Sequence, residues 1–242
     1  AERPEAGNER RNGRSAWQIL MSTKKENPSS SDGKGKGVTM SLQTSSVYVG
    51  LDGEMTGGKM PGPGEKPACQ SFQLVQIGVA LESGDTFFSD IGYDKWNEDP
   101  KAMEVHKMTA DRIRAAPRAE AVDASLLAWL EARGITRAIP IGWSVGTFDM
   151  PFVREYLPRS AALISKRSVD LNGVVYTLMQ VTGRSYNALK SASKKYAEKA
   201  LEHRCFQPEP AWHHAGYDAE AALKAWEFFR SLIVAKEMHD FL

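Results

Sequence analysis

Cysteine is scarce in this chain: Cys69 and Cys205 are the two in 242 residues, far apart and without metal-like spacing. They read as free thiols of a reducing compartment, with a single disulfide between them left open. Long apolar runs are also missing, so nothing in the sequence reads as a membrane span. The apolar stretch Ala16-Trp17-Gln18-Ile19-Leu20-Met21 is too short for the core of a signal peptide. The expectation is a soluble, cytoplasmic protein with no membrane partner. Charge of one sign is lacking too, with 31 basic residues against 30 acidic ones and a net charge of +1. Residues 1–46 carry eight Lys or Arg and five Asp or Glu, a balance of +3 that leaves −2 for the rest. The remainder is therefore not a broadly basic nucleic-acid binder. Any polyanion it holds would need metal ions and a local patch of Lys and Arg. No internal repeat is evident.

The length suits one domain with a tail, and 42% hydrophobic and 25% charged residues are ordinary globular values. Residues 1–46 are rich in Ser, Gly, Lys, Glu and Asn, and Pro28 to Gly37 has linker composition. We expect a disordered or linker-like tail over 1–46 and a single domain over 47–242. The run Ser46-Val47-Tyr48-Val49 opens the first strand. Gly57 to Ser71, with three Pro and four Gly, is a loop long enough to serve as a lid or substrate contact. Further strands are expected at 72–81, 85–90, 138–142 and 168–169. Helices are expected at 119–133, 148–156, 171–181, 186–201 and about 215–239, with an irregular helical stretch over 99–115. Strands clustered early and helices alternating later give an α/β fold, a mixed sheet flanked by helices.

The first strand leads into Gly50-Leu51-Asp52-Gly53-Glu54-Met55-Thr56-Gly57. Positions i and i+2 of a strand share a face, so Asp52 and Glu54 present two carboxylates side by side. Two acids that close repel each other and pay for desolvation unless a positive group lies between them, and a divalent metal fills that role. Asp149 is the sole acid from Arg137 through Arg154 and stands among Phe148, Met150 and Phe152. It reads either as a helix-start acid favoured by the dipole or as a metal ligand at a strand end. In the last helix Ala222, Trp226, Phe229 and Ile233 form an apolar stripe with Asp218 at its edge, turned toward the sheet. His213, five residues earlier, falls on the entering loop.

The order Asp52-x-Glu54, then Asp149, then His213-x-Ala215-x-x-Asp218 resembles the DEDDh family of 3′→5′ exonucleases. That family includes proofreading exonucleases, ribonuclease T and oligoribonuclease. Gln73 to Val79 resembles the family's second strand. Glu104-Val105-His106-Lys107-Met108-Thr109 resembles its Val-His-Gly-Ile-Thr segment, with Lys107 in place of Gly. Glu54-Met55-Thr56-Gly57 and Glu155-Tyr156-Leu157-Pro158 look closest to oligoribonuclease. The sister group carries Tyr four residues before the last Asp, where this chain has His214. The pattern departs at Ser144, where the family has Asn at a different spacing, and in the longer loop after the first strand.

The resemblance implies a ribonuclease H-like fold with a mixed five-stranded central sheet flanked by helices. It also implies hydrolysis of phosphodiester bonds at single-stranded 3′ ends of RNA or DNA, releasing nucleoside 5′-monophosphates. Asp52, Glu54, Asp149 and Asp218 would then hold two Mg²⁺ or Mn²⁺ ions, and His213 would take a proton from the attacking water. Met55 and Thr56 would contact the terminal nucleotide, and His106 its sugar or base surroundings; Met55 reads equally as a core residue and His106 as the cap of a turn. Lys190, Lys194, Lys195 and Lys199 read as a solvated helix face or as a guide for a single strand. Three rival readings stand beside this one: an enzyme restricted to very short oligonucleotides, a catalytically silent nucleic-acid-binding module, and a zinc hydrolase on His213, His214 and Asp218. A homodimer or an association with a polymerase is left open.

Overall fold

In the computed structural model, residues 46–58, 66–202 and 213–240 are described. The expected tail, apart from Ser46, and residues 59–65 of the expected lid loop lie outside these residues. Strand β1 (Val47–Met55) runs nine residues, so Asp52 and Glu54 lie within it rather than at its end. After a single 3₁₀ turn at Ala68–Gln70 come β2 (Leu74–Leu81) and β3 (Thr86–Asp90). Helices α1 (Pro100–His106) and α2 (Ala110–Ala115) replace the single irregular stretch expected there, because Lys107 turns left-handed (φ 55°) and ends the first. Helix α3 (Ala119–Glu131), strand β4 (Ala138–Gly142), helix α4 (Asp149–Tyr156) and the one-turn α5 (Pro158–Ala161) follow. Strand β5 (Val169–Asp170) leads to α6 (Leu171–Thr182), which Asp170 caps by accepting from Asn172 N–H. Helices α7 (Tyr186–Leu201) and α8 (Ala215–Asp240) complete the described order.

The strands form one sheet in the order β3-β2-β1-β4-β5. β1 and β2 pair antiparallel, as do β2 and β3, whereas β4 and β5 join parallel to β1 and to each other. Two cores flank this sheet. On one face Val49, Leu51, Ile77 and Val79 pack against Val122, Leu126 and Leu130 of α3 and Met150, Phe152 and Val153 of α4. On the other, Ala80 and Ile141 meet Val175, Leu189, Ala219, Ala222 and Phe229 from α6, α7 and α8. The period-two alternation of β1 thus sends Val49 and Leu51 one way and Gly50, Asp52 and Glu54 the other.

Helix α8 lies directly on the sheet because both surfaces are small there. A Cβ added at Gly50 would fall 1.9 Å from Ala219 O, and one at Gly78 would fall 2.0 Å from Ala215 O. Gly50 and Gly78 therefore admit the helix backbone where no side chain would. The seating residues are Ala215, Ala219, Ala222 and Phe229. The expected stripe extended to Ile233, but that residue is 37% exposed. Asp218 lies within this seated turn and is carried onto the face of β1 that bears Asp52 and Glu54.

Candidate active site

Four acids from three distant segments meet at this face. Gly53 N–H, between Asp52 and Glu54, donates to Asp149 Oδ1 at 3.0 Å, which ties the first residue of α4 to β1. Asp218 Oδ2 accepts from His213 N–H at 2.8 Å, and this bond fixes the turn into α8. His213 is outside the helix, as expected, and adopts a left-handed backbone (φ 64°). Its Nδ1 lies 4.0 Å from Glu54 Oε1. One ligand atom from each of Glu54, His213 and Asp218 lies within 4.8 Å of the others.

The electrostatics are those of anions packed without enough compensation. Burial raises the Asp52 carboxyl well above the usual range, and Asp149, Asp218 and Glu54 push it further. Glu54 rises to about 8, first through burial and then through Asp218 and Asp149. Asp149 rises to about 7 through burial, against the hydrogen bond from Gly53 that favours its charged form. Asp218 also rises to about 7 through burial, opposed by the His213 N–H and by Lys194. Asp218 Oδ1 is buried and accepts no hydrogen bond among the described residues. An unsatisfied buried carboxylate oxygen beside three further acids fits a divalent cation with oxygen ligands. The His213 ring has the opposite shift, because burial and then Lys194 lower its pKa and favour neutral imidazole.

The acids form one end of a cavity of about 370 Å³. Its other walls are Trp143 and Phe148 from the β4–α4 loop and Lys190 and Lys194 from α7. The sequence offers Lys190 and Lys194 as a strand guide but does not single out Trp143 or Phe148 as site residues. Only the i, i+4 spacing of the two lysines signalled that they share a helix face.

Met55, Thr56 and His106 are not among the residues lining this cavity. Met55 is buried in the core cluster on the opposite face of β1. Thr56 is fully buried, and its Oγ1 accepts from Gln73 N–H at 3.0 Å. The His106 ring is buried with both nitrogens engaged: Nδ1 accepts from Met108 N–H at 3.1 Å, so Nε2 carries the proton facing Met55 O at 3.2 Å. Burial lowers its pKa and keeps it neutral. These three residues brace the end of β1. His214 turns away from the acids and stacks on Phe88 with centroids 4.1 Å apart, so the ligand set of a zinc site on His213, His214 and Asp218 is not assembled.

No protein-family model and no curated protein matches the sequence. Solved structures do match: the chain shares a ribonuclease H-like fold with E. coli exonuclease I, a mixed five-stranded sheet flanked by helices. E. coli exonuclease I in complex with a dT13 oligonucleotide aligns with a TM-score of 0.54 at 13% identity, over 81% of this chain and 43% of that one. The zinc-ion-bound form of the E. coli exonuclease I complex with single-stranded DNA aligns with a TM-score of 0.51 at 13% identity, over 81% and 42%. The nuclease domain of 3′hExo, a DEDDh family member bound to rAMP, aligns with a TM-score of 0.46 at 14% identity, over 76% and 90%. This chain spans less than half the length of the exonuclease I chains it matches. Among the described residues, no helix is long and apolar enough to cross a membrane.

Proposed function

We propose that this protein is a metal-dependent 3′→5′ exonuclease that hydrolyses phosphodiester bonds at single-stranded 3′ ends of RNA or DNA and releases nucleoside 5′-monophosphates. The observation that carries this reading is the convergence of Asp52, Glu54, Asp149 and Asp218 beside His213 at one end of a cavity in an exonuclease fold. Asp52, Glu54, Asp149 and Asp218 would hold two Mg²⁺ or Mn²⁺ ions, hard cations suited to an all-oxygen set. Bound there, such ions polarise the scissile phosphate and offset the charge that develops on it.

The chain's own groups supply the rest. His213 is kept neutral by its surroundings and can take a proton from water. Its Nδ1 is turned toward Glu54, which leaves Nε2 as the nitrogen for that proton. The hydrogen bond from His213 N–H to Asp218 Oδ2 couples the position of the base to that of a ligand carboxylate. The Gly53 N–H anchors the Asp149 carboxylate to β1. A silent binding module has no use for four mutually repelling buried acids, which favours catalysis over that rival.

The test uses end-labelled single-stranded RNA and DNA of several lengths with Mg²⁺ or Mn²⁺. Wild type shortens them from the 3′ end, whereas an Asp52→Ala/Glu54→Ala variant and an EDTA control do not. Shortening confined to the briefest oligonucleotides selects the short-substrate reading. Wild type that leaves every strand intact while binding it hands the protein to the binding-module class.

A further inference from the structure

The cavity has two chemically different ends, and the exonuclease reading uses one. Beyond the acids, its floor is built of small buried residues, Ser193 and Ala197 from α7 and Ala221 and Ala225 from α8. Over this floor stand Lys190 and Lys194, one turn apart on α7, facing Trp143. Lys190 Nζ lies 4.8 Å from the Trp143 ring centroid and 5.7 Å from that of Tyr186. Trp143 in turn meets Phe229 edge-on, with centroids 6.3 Å apart.

This wall is fixed in advance. The residue after Trp143, Ser144, has a left-handed backbone (φ 59°), and its N–H donates to Asp170 Oδ1 at 3.2 Å. Asn172 Nδ2 donates to Ser144 Oγ at 2.9 Å, and Tyr186 O–H donates to Asn172 Oδ1. The loop carrying Trp143 is thereby tied to the starts of α6 and α7. Left-handed backbone at a non-glycine residue is unfavourable, so a loop held this way is over-determined by its bonds.

We propose that Trp143, Lys190 and Lys194 form a second binding element, which takes a base and a phosphate of the strand adjoining the nucleotide held at the acids. This rests on the exonuclease reading and adds a substrate contact to it. Ammonium groups donate to phosphate oxygens without reading sequence, and an indole face accepts any base by stacking. Lys194 is also near enough to Asp218 and His213 to bias their charge, so a purely local role as counter-charge must be told apart from strand binding. Lys195 and Lys199 make that possible, because they carry the same charge on the same helix and do not line the cavity.

The experiment measures binding of a nuclease-resistant phosphorothioate (dT)8 strand by fluorescence anisotropy in Ca²⁺, across a range of salt concentrations. A phosphate contact adds about 0.7 to the slope of log K against log salt on a single strand. The Lys190→Met/Lys194→Met protein should lose about 0.7 from the slope and at least about 10-fold in affinity at low salt. The Lys195→Met/Lys199→Met protein should keep the wild-type slope. Trp143→Ala should weaken binding about 5- to 100-fold at every salt concentration with the slope unchanged, the mark of lost stacking. A slope that both lysine pairs lower equally, or that neither lowers, overturns the phosphate contact; wild-type binding by Trp143→Ala overturns the base contact. Since no turnover is read, the two readings fail separately. Hydrolysis of strands by a protein whose Lys190→Met/Lys194→Met form binds normally sinks this inference alone. Salt-dependent binding through these lysines in a protein inert toward every strand sinks the exonuclease reading alone.

Discussion

Replacing Gly78 with alanine puts the seating of α8 to a quantitative test. Gly78 is the β2 partner of Asp52 in the antiparallel ladder, so the change falls directly beside the acids. The new Cβ would stand 2.0 Å from Ala215 O, 2.3 Å from Ala215 C and 2.6 Å from Gly216 N. All three are backbone atoms, and no rotamer change relieves them. Real Cβ atoms essentially never approach closer than 3.0 Å, so α8 must retreat by at least about 1 Å. Asp218 lies three residues beyond Ala215 and moves with the helix, away from Asp52 and Glu54. Forcing a methyl into a packed interface costs about 1–3 kcal/mol. A misplacement of about 1 Å in a catalytic constellation costs about 10²-fold in rate.

Urea denaturation and hydrolysis of a labelled single strand at 10 °C, where the variant's circular dichroism can be matched to wild type, read the two effects. Gly173→Ala is the internal control: this α6 glycine has nothing within 4 Å of an added Cβ. The same chemical change there should add about 0.5–1 kcal/mol through helix propensity and leave activity alone. A Gly78→Ala protein with wild-type stability and rate would refute the claim that the helix backbone rests on the sheet.

Three other outcomes follow from the site and its surroundings. In EDTA the protein should lose stability as pH rises from about 4 to about 8, because Glu54, Asp149 and Asp218 titrate near 8, 7 and 7 when folded and near their ordinary values when unfolded. A raised folded pKa contributes stability that is present below the unfolded pKa and is lost as pH climbs through the folded one; thermal melts in EDTA should show the fall, and melts in Mn²⁺ should flatten it. Asp218→Asn removes one repelling charge and should raise the melting temperature in EDTA at pH 8 while abolishing hydrolysis, a separation of stability from activity that calorimetry and the strand assay check together. Lys107→Gly relieves a left-handed backbone at an exposed position and should stabilise the protein by about 1 kcal/mol, or about 2–4 °C in melting temperature, with activity unchanged.

The sheet and its order of elements were largely legible, because Val47 to Val49, Leu74 to Leu81 and Ala138 to Gly142 are apolar runs bounded by turn residues. The extent of β1 was not. Gly50 and Gly53 depress strand propensity, and only the ladder to β2 carries the strand through to Met55. The seating face of α8 was concealed for a related reason. Ala215, Gly216 and Ala219 contribute little to a hydrophobic stripe, yet they fit the glycines of the sheet where Trp226 and Ile233 could not. Asp52 and Glu54 could be paired from strand period alone. Asp149 and Asp218 could be joined to them only by a known motif order, since nothing local relates residues 97 and 166 positions beyond Asp52. The lysine wall needed three dimensions, because helix spacing places Lys190 and Lys194 on one face without saying what that face meets. For Met55 and His106 the sequence offers a core and a capping reading beside the substrate-contacting one but does not choose between them, as the choice depends on side-chain orientation.

The order in which these acids occur along the chain also governs when they can act. Glu54 is synthesised 164 residues before Asp218. At about 5–20 residues per second that interval lasts roughly 8–30 s. Throughout it the growing polypeptide holds its first two acids beside a bare glycine track, with neither His213 nor Asp218 yet made. A ribosome is surrounded by RNA, its own and the message it reads. On the proposed function, a centre closed by a late helix settling onto an early strand would leave that machinery untouched until the helix has emerged.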